Sequence, residues 1–425
     1  GAWQSFLAWC ALRSMLIFAQ SGYLMTTDAP AELFWLLGMC AAFVAILNRK
    51  PRWWLAVGAS IGIGCLAKFT VVLLYVGIIC CLASKKRLRN HFQKWEFWAG
   101  IGVFLIILSP VVIWNAQHDW VNFAHNAGHL VKTEKFGFSL VYLPELIAGQ
   151  LLFVGPIMFV MFCYAARSSW QRFRIGDMRA GLFAYSAIPL GVVSILVSIT
   201  KRVYANWPLP MYIGLLCALV HAIARPVIGT DVTLREWLKR GIVVSLSLSF
   251  IAHLPFWGFT LGVSGQYLST KKLVGWPTLG AVVQGVIDRT SGMVGQPYTD
   301  TNGDGDFSRK GFFVLADDYE VASEIAFYAP THPKTYCDYL GDRRMNQYDI
   351  WGGLERERGN TAIIVLTDPS KVEKLRSRFR SIVPIDSPDL TELLSIQYGG
   401  IILHRYFLFV GLQYDGSVPE LPVRR

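Results

Sequence analysis

The chain of 425 residues is 53% hydrophobic and only 16% charged, with a mean hydropathy of +0.39. Soluble globular proteins carry about 25% charged residues, so the composition excludes a soluble protein over most of the length. The sequence predicts a polytopic α-helical membrane protein. A net charge of +11 is compatible with binding to nucleic acid. Whether the charge serves that purpose depends on where the basic residues lie along the chain.

Hydropathy predicts about nine membrane spans along the first 262 residues. The first span is interrupted by Arg13, and only Lys68 separates the third from the fourth. The predicted spans are 5–24, 31–48, 53–67, 70–84, 96–114, 142–166, 180–199, 207–224 and 241–262.

Basic residues are distributed unevenly between alternate connections. One set holds the basic clusters near 49–52, 85–94, 167–179 and 225–240, whereas the other holds only Lys68, Lys132, Lys135, Lys201 and Arg202. The positive-inside rule places the richer set in the cytoplasm. The basic excess therefore reflects topology, and no nucleic-acid partner is predicted. The stretch TTDAP (26–30), the 115–141 loop, KRVYANW (201–207) and the chain after about 262 are expected on the outer side.

The sequence predicts two domains, a membrane bundle over 1–262 and a soluble, exported α/β domain over 263–425. In the second, GFFVLA, TAIIVLTD and the last runs TELLSIQY and GIILHRYFLFVGLQY read as strands, while DYEVASEIAFYA and DPSKVEKLRSRF read as helices. Strands alternating with helices indicate a small α/β layer domain.

Asp28, in TTDAP, lies at the mouth of an apolar span. A carboxylate so close to hydrocarbon is costly, and such residues are functional candidates. Helix capping is the alternative, because Asp and a nearby Pro open helices well. Asp28 is thus a candidate catalytic residue or a structural cap.

Several cations are predicted near Asp28 on the outer side. Lys68 and the adjacent pair Lys201 and Arg202, followed by Tyr204, suit a phosphate group at the membrane surface. Snorkelling of Lys68 and an aromatic belt of Tyr204 and Trp207 are the structural alternatives. A carboxylate that removes a proton from a hydroxyl, beside cations that stabilise a departing phosphate, suits transfer from a lipid-linked phosphate. Transporters line their cavities with similar groups.

Other polar outer residues are candidates for the cavity or for acceptor binding. They are His118 and Asp119 in WNAQHDWVNFAHNAGH and Glu145 in PELIAGQ. His118, His125 and His129, with Asp119 and Glu134, have spacing that could hold a zinc ion, although polar loop histidines without a metal are the favoured interpretation. DTNGDGDFSRKG (300–311) resembles the first half of a calcium loop, but Gly311 stands where a bidentate Glu belongs. No cofactor is required by these patterns. Asp317 and Asp318 follow a strand, where they either bind a ligand or cap a helix.

The motifs TTDAP, GIGCLAKFT, SPVVIWNAQHDWVNF, PELIAGQLLFVGP, KRVYANWPLPMY, YEVASEIAFY and RRMNQYDIW occur in this order. Together they resemble the bacterial branch of glycosyltransferase family 39, which includes relatives of dolichyl-phosphate-mannose protein mannosyltransferases and of the lipid A aminoarabinose transferase. The resemblance runs along nearly the whole chain. It implies a GT-C fold in the bacterial inner membrane, a polyprenyl-phosphate sugar donor, and inverting transfer to lipid A, another glycan or a protein. It also implies that Asp28 faces the active cavity.

The chain departs from the family at one position. Family members carry an acidic motif, often Asp-Glu, in a first outer loop between two earlier spans, and nothing in this sequence matches it. The sequence is therefore expected either to lack an N-terminal segment or to be divergent, and residues 1–425 alone are expected to be inactive. A flippase for a lipid-linked sugar and a scaffold of a cell-envelope complex are the alternative functions. The flippase is disfavoured because no internal repeat is found.

Overall fold

The computed structural model describes residues 2–22, 24, 26–124, 141–225, 231–260, 275–294, 311–338, 340, 346–385, 395–398 and 401–417. The chain forms two compact units, Gly1–Ala252 and His253–Arg425. The boundary falls inside a helix and lies before residue 262, the end of the predicted bundle. The predicted calcium half-loop at 300–310, together with His125, His129 and Glu134, lies outside the described residues.

The first unit is a bundle of apolar helices. In chain order they are α1 (Ala2–Ser14), α2 (Leu16–Ser21), α3 (Asp28–Leu47), α4 (Trp53–Ala67), α5 (Val72–Ser84), α6 (Trp95–Gln117), α7 (Tyr142–Phe153), α8 (Pro156–Arg174), α9 (Met178–Ser198) and α10 (Met211–Ala224). Helix α11 (Asp231–Thr260) begins in this unit and ends in the second.

Four helices within the described residues are long and apolar enough to cross a membrane, at Asp28–Leu47, Trp95–Gln117, Met178–Ser198 and Thr233–Leu254. The helices Trp53–Ala67, Phe69–Ser84 and Met211–Ala224 are apolar but shorter. A 15-residue helix such as α4 rises about 22 Å, less than the roughly 30 Å of a hydrocarbon core. The predicted nine spans all coincide with helices, but only these four have the full length alone.

Two predicted spans are broken. The first divides into α1 and α2 at Met15, whose backbone is extended with φ −74° and ψ 126°. The sixth bends by 108° between α7 and α8. Gly155 provides the bend with φ +96°, and Pro156 starts the next helix. Ser245 Oγ donates to the freed carbonyl of Val154 at 3.0 Å, so the break leaves that carbonyl satisfied.

The second unit is built on a five-stranded mixed sheet with strand order β2-β1-β3-β7-β4 and a separate β5-β6 hairpin. The pairs β1–β2 and β1–β3 are parallel, and β3–β7 and β4–β7 are antiparallel. The strands are β1 (Phe312–Ala316), β2 (Thr335–Cys337), β3 (Thr361–Leu366), β4 (Phe379–Pro384), β5 (Ser395–Tyr398), β6 (Ile401–Arg405) and β7 (Phe407–Tyr414), and the helices are α12 (Trp276–Val294), α13 (Tyr319–Tyr328) and α14 (Gln347–Trp351).

Both faces of this sheet are covered. Every residue of β1 and β3 is buried. Phe312 and Val314 pack in one core cluster with α12 and α13, whereas Phe313 and Leu315 pack in a second cluster on the opposite face. Such burial on both faces explains why these strands read as continuous apolar runs. The predicted α/β domain is confirmed.

One local prediction in this unit is confirmed and one is wrong. The run Pro369–Arg378 is a helix of the 3-10 type, with Asp368 as its N-cap and Pro369 in its first turn. A 3-10 helix rises about 2.0 Å per residue against 1.5 Å, so these residues span the longer crossover from β3 to β4. The final apolar run forms two strands, β6 and β7, that divide at Tyr406.

Asp317 and Asp318 both have structural partners. Asp318 caps α13 by accepting a hydrogen bond from Glu320 N at 2.7 Å. Asp317 is buried after β1, where it accepts hydrogen bonds from Thr367 N and Oγ1 and pairs with Lys371 Nζ at 2.7 Å. It therefore joins the carboxyl ends of β1 and β3.

Candidate active site

Asp28 is the first residue of α3, and its side chain is buried in an ion pair. Its Oδ1 lies 2.6 Å from Lys68 Nζ, and its Oδ2 accepts a hydrogen bond from Asn206 Nδ2 at 2.8 Å. The N-cap of α3 is Thr27, which makes no side-chain capping bond. The carboxylate of Asp28 contacts two side chains from distant parts of the chain instead of the helix amides, so the capping alternative does not describe it. The helix N-terminus adds a favourable field for its negative charge.

Lys68 reaches Asp28 because the chain turns sharply at the end of α4. Lys68 is the C-cap of that helix, with extended backbone at φ −154° and ψ 117°, and the 3-10 turn Phe69–Val71 follows. Its side chain is 18% exposed and that of Asp28 is 10% exposed. Lys68 thus points to a buried carboxylate instead of snorkelling to the surface.

Asn206 and Tyr204 belong to the loop between α9 and α10, which α7 holds in place. Gln150 Nε2 donates to Ala205 O at 3.2 Å, and Tyr212 OH donates to Gln150 Oε1 at 2.8 Å. Gln150 and Tyr212 are both buried. The sequence did not single out Asn206. The sequence feature that could have identified Asn206 is its amide side chain within the aromatic run YANW, which was predicted on the same side of the membrane as Asp28.

Two cavities meet at this ion pair. Asp28 and Asn206 line one of about 300 Å³, together with Ser21 and Tyr204. Lys68 lines the other, of about 550 Å³, with Thr27, Tyr204 and Trp207. Tyr204 lies in the wall of both and is 58% exposed. The structure therefore brings together three of the predicted site residues: Asp28, Lys68 and Tyr204.

Arg202 and Glu145 form a separate, more exposed ion pair. Their side chains are 60% and 38% exposed. The hydrogen bond that Arg202 Nε donates to Glu145 Oε1, reinforced by the negative charge of Glu145, raises the pKa of the Arg202 guanidinium. Neither residue, nor Lys201, lines the two cavities at Asp28. An Arg202 that binds a phosphate must exchange this carboxylate for it.

His118 and Asp119 lie at the end of α6. The imidazole stacks on Trp114 with ring centroids 4.2 Å apart, and its Nδ1 lies 2.8 Å from Trp114 O. Asp119 has φ +53° in the turn that follows. Neither residue lines the cavities at Asp28. Within the described ranges no three His, Cys, Asp or Glu side chains are grouped as metal ligands, but most of the predicted zinc set lies outside those ranges.

Glu32 is a second carboxyl group, one helical turn after Asp28, that the sequence reading overlooked. Ser21 Oγ donates to Glu32 Oε2 at 3.3 Å. Its other oxygen, Oε1, is buried and has no hydrogen-bond partner among the described residues. The signal in the sequence was a Glu inside the apolar span AELFWLLG, where ionisable residues are rare and functional.

These features define a class of protein: a polytopic membrane protein with a bundle of apolar helices, a polar cluster at one end of that bundle, and a small α/β unit. Residues 1–114 match the family model described as dolichyl-phosphate-mannose-protein mannosyltransferase. The match includes Asp28 and Lys68, whereas Tyr204 and Asn206 lie beyond it.

The chain is also similar to the lipid A galacturonosyltransferase RgtD of Rhizobium johnstonii, with 23% identity over 242 residues. The alignment covers 56% of this chain and 47% of that protein, so the chain spans about half the length of this curated relative. No solved structure matches the chain. The two matches confirm the resemblance to glycosyltransferase family 39 that the sequence motifs indicate.

Proposed function

We propose that the protein is a membrane glycosyltransferase that moves a sugar from a polyprenyl-phosphate donor to an acceptor in the bacterial cell envelope. Its place is the inner membrane, with the Asp28 end of the bundle and the α/β unit on the outer side. The observation that carries the proposal is the Lys68–Asp28–Asn206 cluster, a buried carboxylate with two partly buried partners in the walls of two adjoining cavities. The matches to glycosyltransferases support the reaction class.

The proposed step is a single displacement at the anomeric carbon. The acceptor oxygen forms a bond to that carbon while the bond from the carbon to the phosphate oxygen breaks. The electron pair leaves with the polyprenyl phosphate, and the acceptor proton passes to the Asp28 carboxylate. Attack from the face opposite the leaving group inverts the anomeric configuration. Asn206 and Lys68 hold both oxygens of Asp28, which fixes the direction of the base.

Cations stabilise the departing phosphate in this proposal. Lys68, with Tyr204 in the wall of the same cavity, is the nearest to Asp28, and charge-assisted contacts of this kind are the strongest hydrogen bonds available to a phosphate. Lys201 and Arg202, in the loop that also carries Tyr204, are proposed to bind the phosphate of the donor. His118, Asp119 and Glu145 remain candidates for acceptor binding.

The acceptor proposed is lipid A or a related lipid, since RgtD is named for transfer to lipid A. A glycan or a protein is the broader possibility for this family. The α/β unit is proposed to help select the acceptor.

An assay in sealed vesicles tests the proposal against a flippase. The protein is reconstituted with a radiolabelled polyprenyl-phosphate sugar, with and without a lipid A acceptor. We expect label in the acceptor and release of polyprenyl phosphate. Label that crosses the bilayer still attached to its polyprenyl phosphate would instead identify a flippase. Because the chain spans about half the length of RgtD, the assay includes the longest natural reading frame beside residues 1–425.

Replacing Arg202 tests the donor phosphate assignment. We expect Arg202→Ala to raise the donor KM about tenfold with little change in kcat, because one charge-assisted contact is lost. Glu145→Gln is expected to leave the KM equal or lower, since it frees the guanidinium. The matched control is Lys239→Ala, which removes a cation of 58% exposure from the exposed pair with Glu236. An unchanged donor KM in Arg202→Ala would remove Arg202 from the donor site.

A further inference from the structure

A cavity of about 680 Å³ in the first unit lies between α1, α2, α3, α9 and α10. Its walls are mainly apolar, and along α3 it extends from Ala29 to Phe43. At 1.5 Å per residue this length is roughly 20 Å, a large part of the hydrocarbon thickness. A cavity of this shape suits a hydrocarbon chain. The apolar walls include Leu33, Leu36, Phe183, Ile213, Leu216 and Val220.

Three polar side chains line this cavity at its Ala29 end: Arg13, Ser21 and Glu32. The hydrogen bond from Ser21 to Glu32 is long, at 3.3 Å, and Glu32 Oε1 lacks a donor in the described structure. The Arg13 guanidinium donates to Phe18 O at 3.4 Å, and a Cβ added to Gly22 would lie 2.7 Å from its Nη1. No described carboxylate pairs with Arg13, so a cation and a carboxyl group share one cavity wall without satisfying each other.

Such an arrangement is expensive in a membrane without a ligand. Charged side chains in membrane-spanning segments usually pair with one another or mark a ligand pathway, and a buried carboxyl oxygen without a donor costs free energy. A guanidinium matches a phosphate, and a carboxyl group with spare acceptor capacity matches a hydroxyl.

We propose that Arg13, Ser21 and Glu32 form a head-group site for an amphiphile that carries a phosphate, a hydroxyl group and a hydrocarbon chain, the chain lying along α3. Arg13 binds the phosphate, and Glu32, oriented by Ser21, accepts from the hydroxyl. The inference rests on the proposed function in one respect, that this amphiphile is the acceptor. Ser21 lines both this cavity and the smaller cavity of Asp28, so a bound hydroxyl lies next to the proposed base.

The far end of the cavity is less suited to a head group. Asp177 there pairs with His221 at 2.7 Å and also caps α9. Burial is the largest single influence on the pKa of Asp177, and it raises that pKa. The hydrogen bond and charge of His221, together with the hydrogen bonds from the helix amides, outweigh burial and lower the pKa of Asp177. Arg179 lies over the ring of Phe43 at 5.9 Å. The unsatisfied carboxyl oxygen is at the Glu32 end.

Binding measurements on the full chain in neutral detergent test the site without requiring sugar transfer. The probe is lysophosphatidylglycerol, which has one phosphate, three hydroxyls and one acyl chain. Its comparators are a monoacylglycerol without phosphate, an alkyl methyl phosphate without hydroxyls, and glycerol phosphate without a chain. We expect the probe to bind at least tenfold more tightly than each comparator.

The variants separate the two contacts. Arg13→Met should lower the affinity for the probe about tenfold, to that of the monoacylglycerol, and Glu32→Met should lower it to that of the alkyl methyl phosphate, with partial recovery in Glu32→Gln. Arg179→Met, a charge removal in the wall of the same cavity, is the control and should bind as wild type. Thermal unfolding identifies any variant that fails to fold.

Equal binding of the probe and its comparators, or loss of phosphate preference in Arg179→Met but not in Arg13→Met, would overturn the site. Tight binding of glycerol phosphate would indicate a soluble ligand and would also overturn it. Arg13-dependent binding without any sugar transfer would leave the site standing and contradict the proposed function, so the two failures are distinguishable.

Discussion

Asp28→Asn is expected to lower sugar transfer by a factor of about 100 or more while donor affinity changes by less than about threefold. The substitution keeps the size of the side chain and one oxygen that Lys68 or Asn206 can contact, but an amide does not accept a proton at neutral pH. General bases contribute about 10² to 10⁴ in rate. The measurement is kcat and donor KM with a lipid A acceptor in the longest active form of the protein.

The matched control is Asp177→Asn. Asp177 is also a partly buried carboxylate with a nitrogen partner, since it accepts from His221 and caps α9. Asn is a good N-cap, so this variant should fold. Helix α9, with 21 residues, separates Asp177 from the loop of Tyr204 by about 30 Å. The sugar-transfer rate of Asp177→Asn should stay close to that of the wild type. Equal losses of transfer in Asp28→Asn and Asp177→Asn would mean that neither loss comes from removing a catalytic base.

A companion substitution separates chemistry from stability. Asp28→Asn leaves the partly buried Lys68, whose side chain is 18% exposed, without its counter-ion. Breaking a buried pair from one side costs at most about 3–5 kcal/mol. Lys68→Met in the same chain removes the stranded charge. The double variant should regain much of the thermal stability lost by Asp28→Asn without regaining transfer. Recovery of transfer in the double variant would show that Asp28 acts only by neutralising Lys68.

The sequence predicted the helices well and their lengths less well. Apolar runs mark where helices form, but the run 5–24 could not show the break at Met15, because that break depends on the packing of α1 and α2 against other helices. In the second unit β1 and β3 were predictable because both faces are apolar. The strand β4 was not predictable from the sequence, because most of its residues are exposed or partly exposed and it is a strand only through its pairing with β7.

The site was predictable as a set of candidates but not as a geometry. Asp28 and Lys68 were predicted on the same side of the membrane, yet their contact depends on how α3 and α4 pack. Asn206 is distant from Asp28 in sequence and needed the α9–α10 loop to be placed. The separate pairing of Arg202 with Glu145 was likewise invisible, because each residue read alone as a surface charge.

The second large effect is expected at the crossing of α4 and α6, where two glycines meet. A Cβ added to Gly58 would overlap the carbonyl of Gly100, and one added to Gly100 would overlap the carbonyl of Trp54. Small residues let helix backbones approach closely in membranes. Since backbone atoms cannot rotate away, Gly58→Ala or Gly100→Ala must push the helices apart.

We expect either substitution to lower the free energy of unfolding by about 3 kcal/mol, or to lower the Tm by roughly 6 to 12 °C. The control is Gly102→Ala in the same helix, α6, where an added Cβ meets nothing within 4 Å. Ala favours a helix over Gly by about 1 kcal/mol, so this variant should be as stable as wild type or more stable. The free energy of unfolding is thus expected to fall where the helices are in close contact and to stay the same or rise at Gly102. This difference separates the effect of close packing from that of helix propensity. If Gly58→Ala also stabilised the protein, α4 and α6 would not cross at these glycines, and the position of Lys68 at the end of α4 would lose its support.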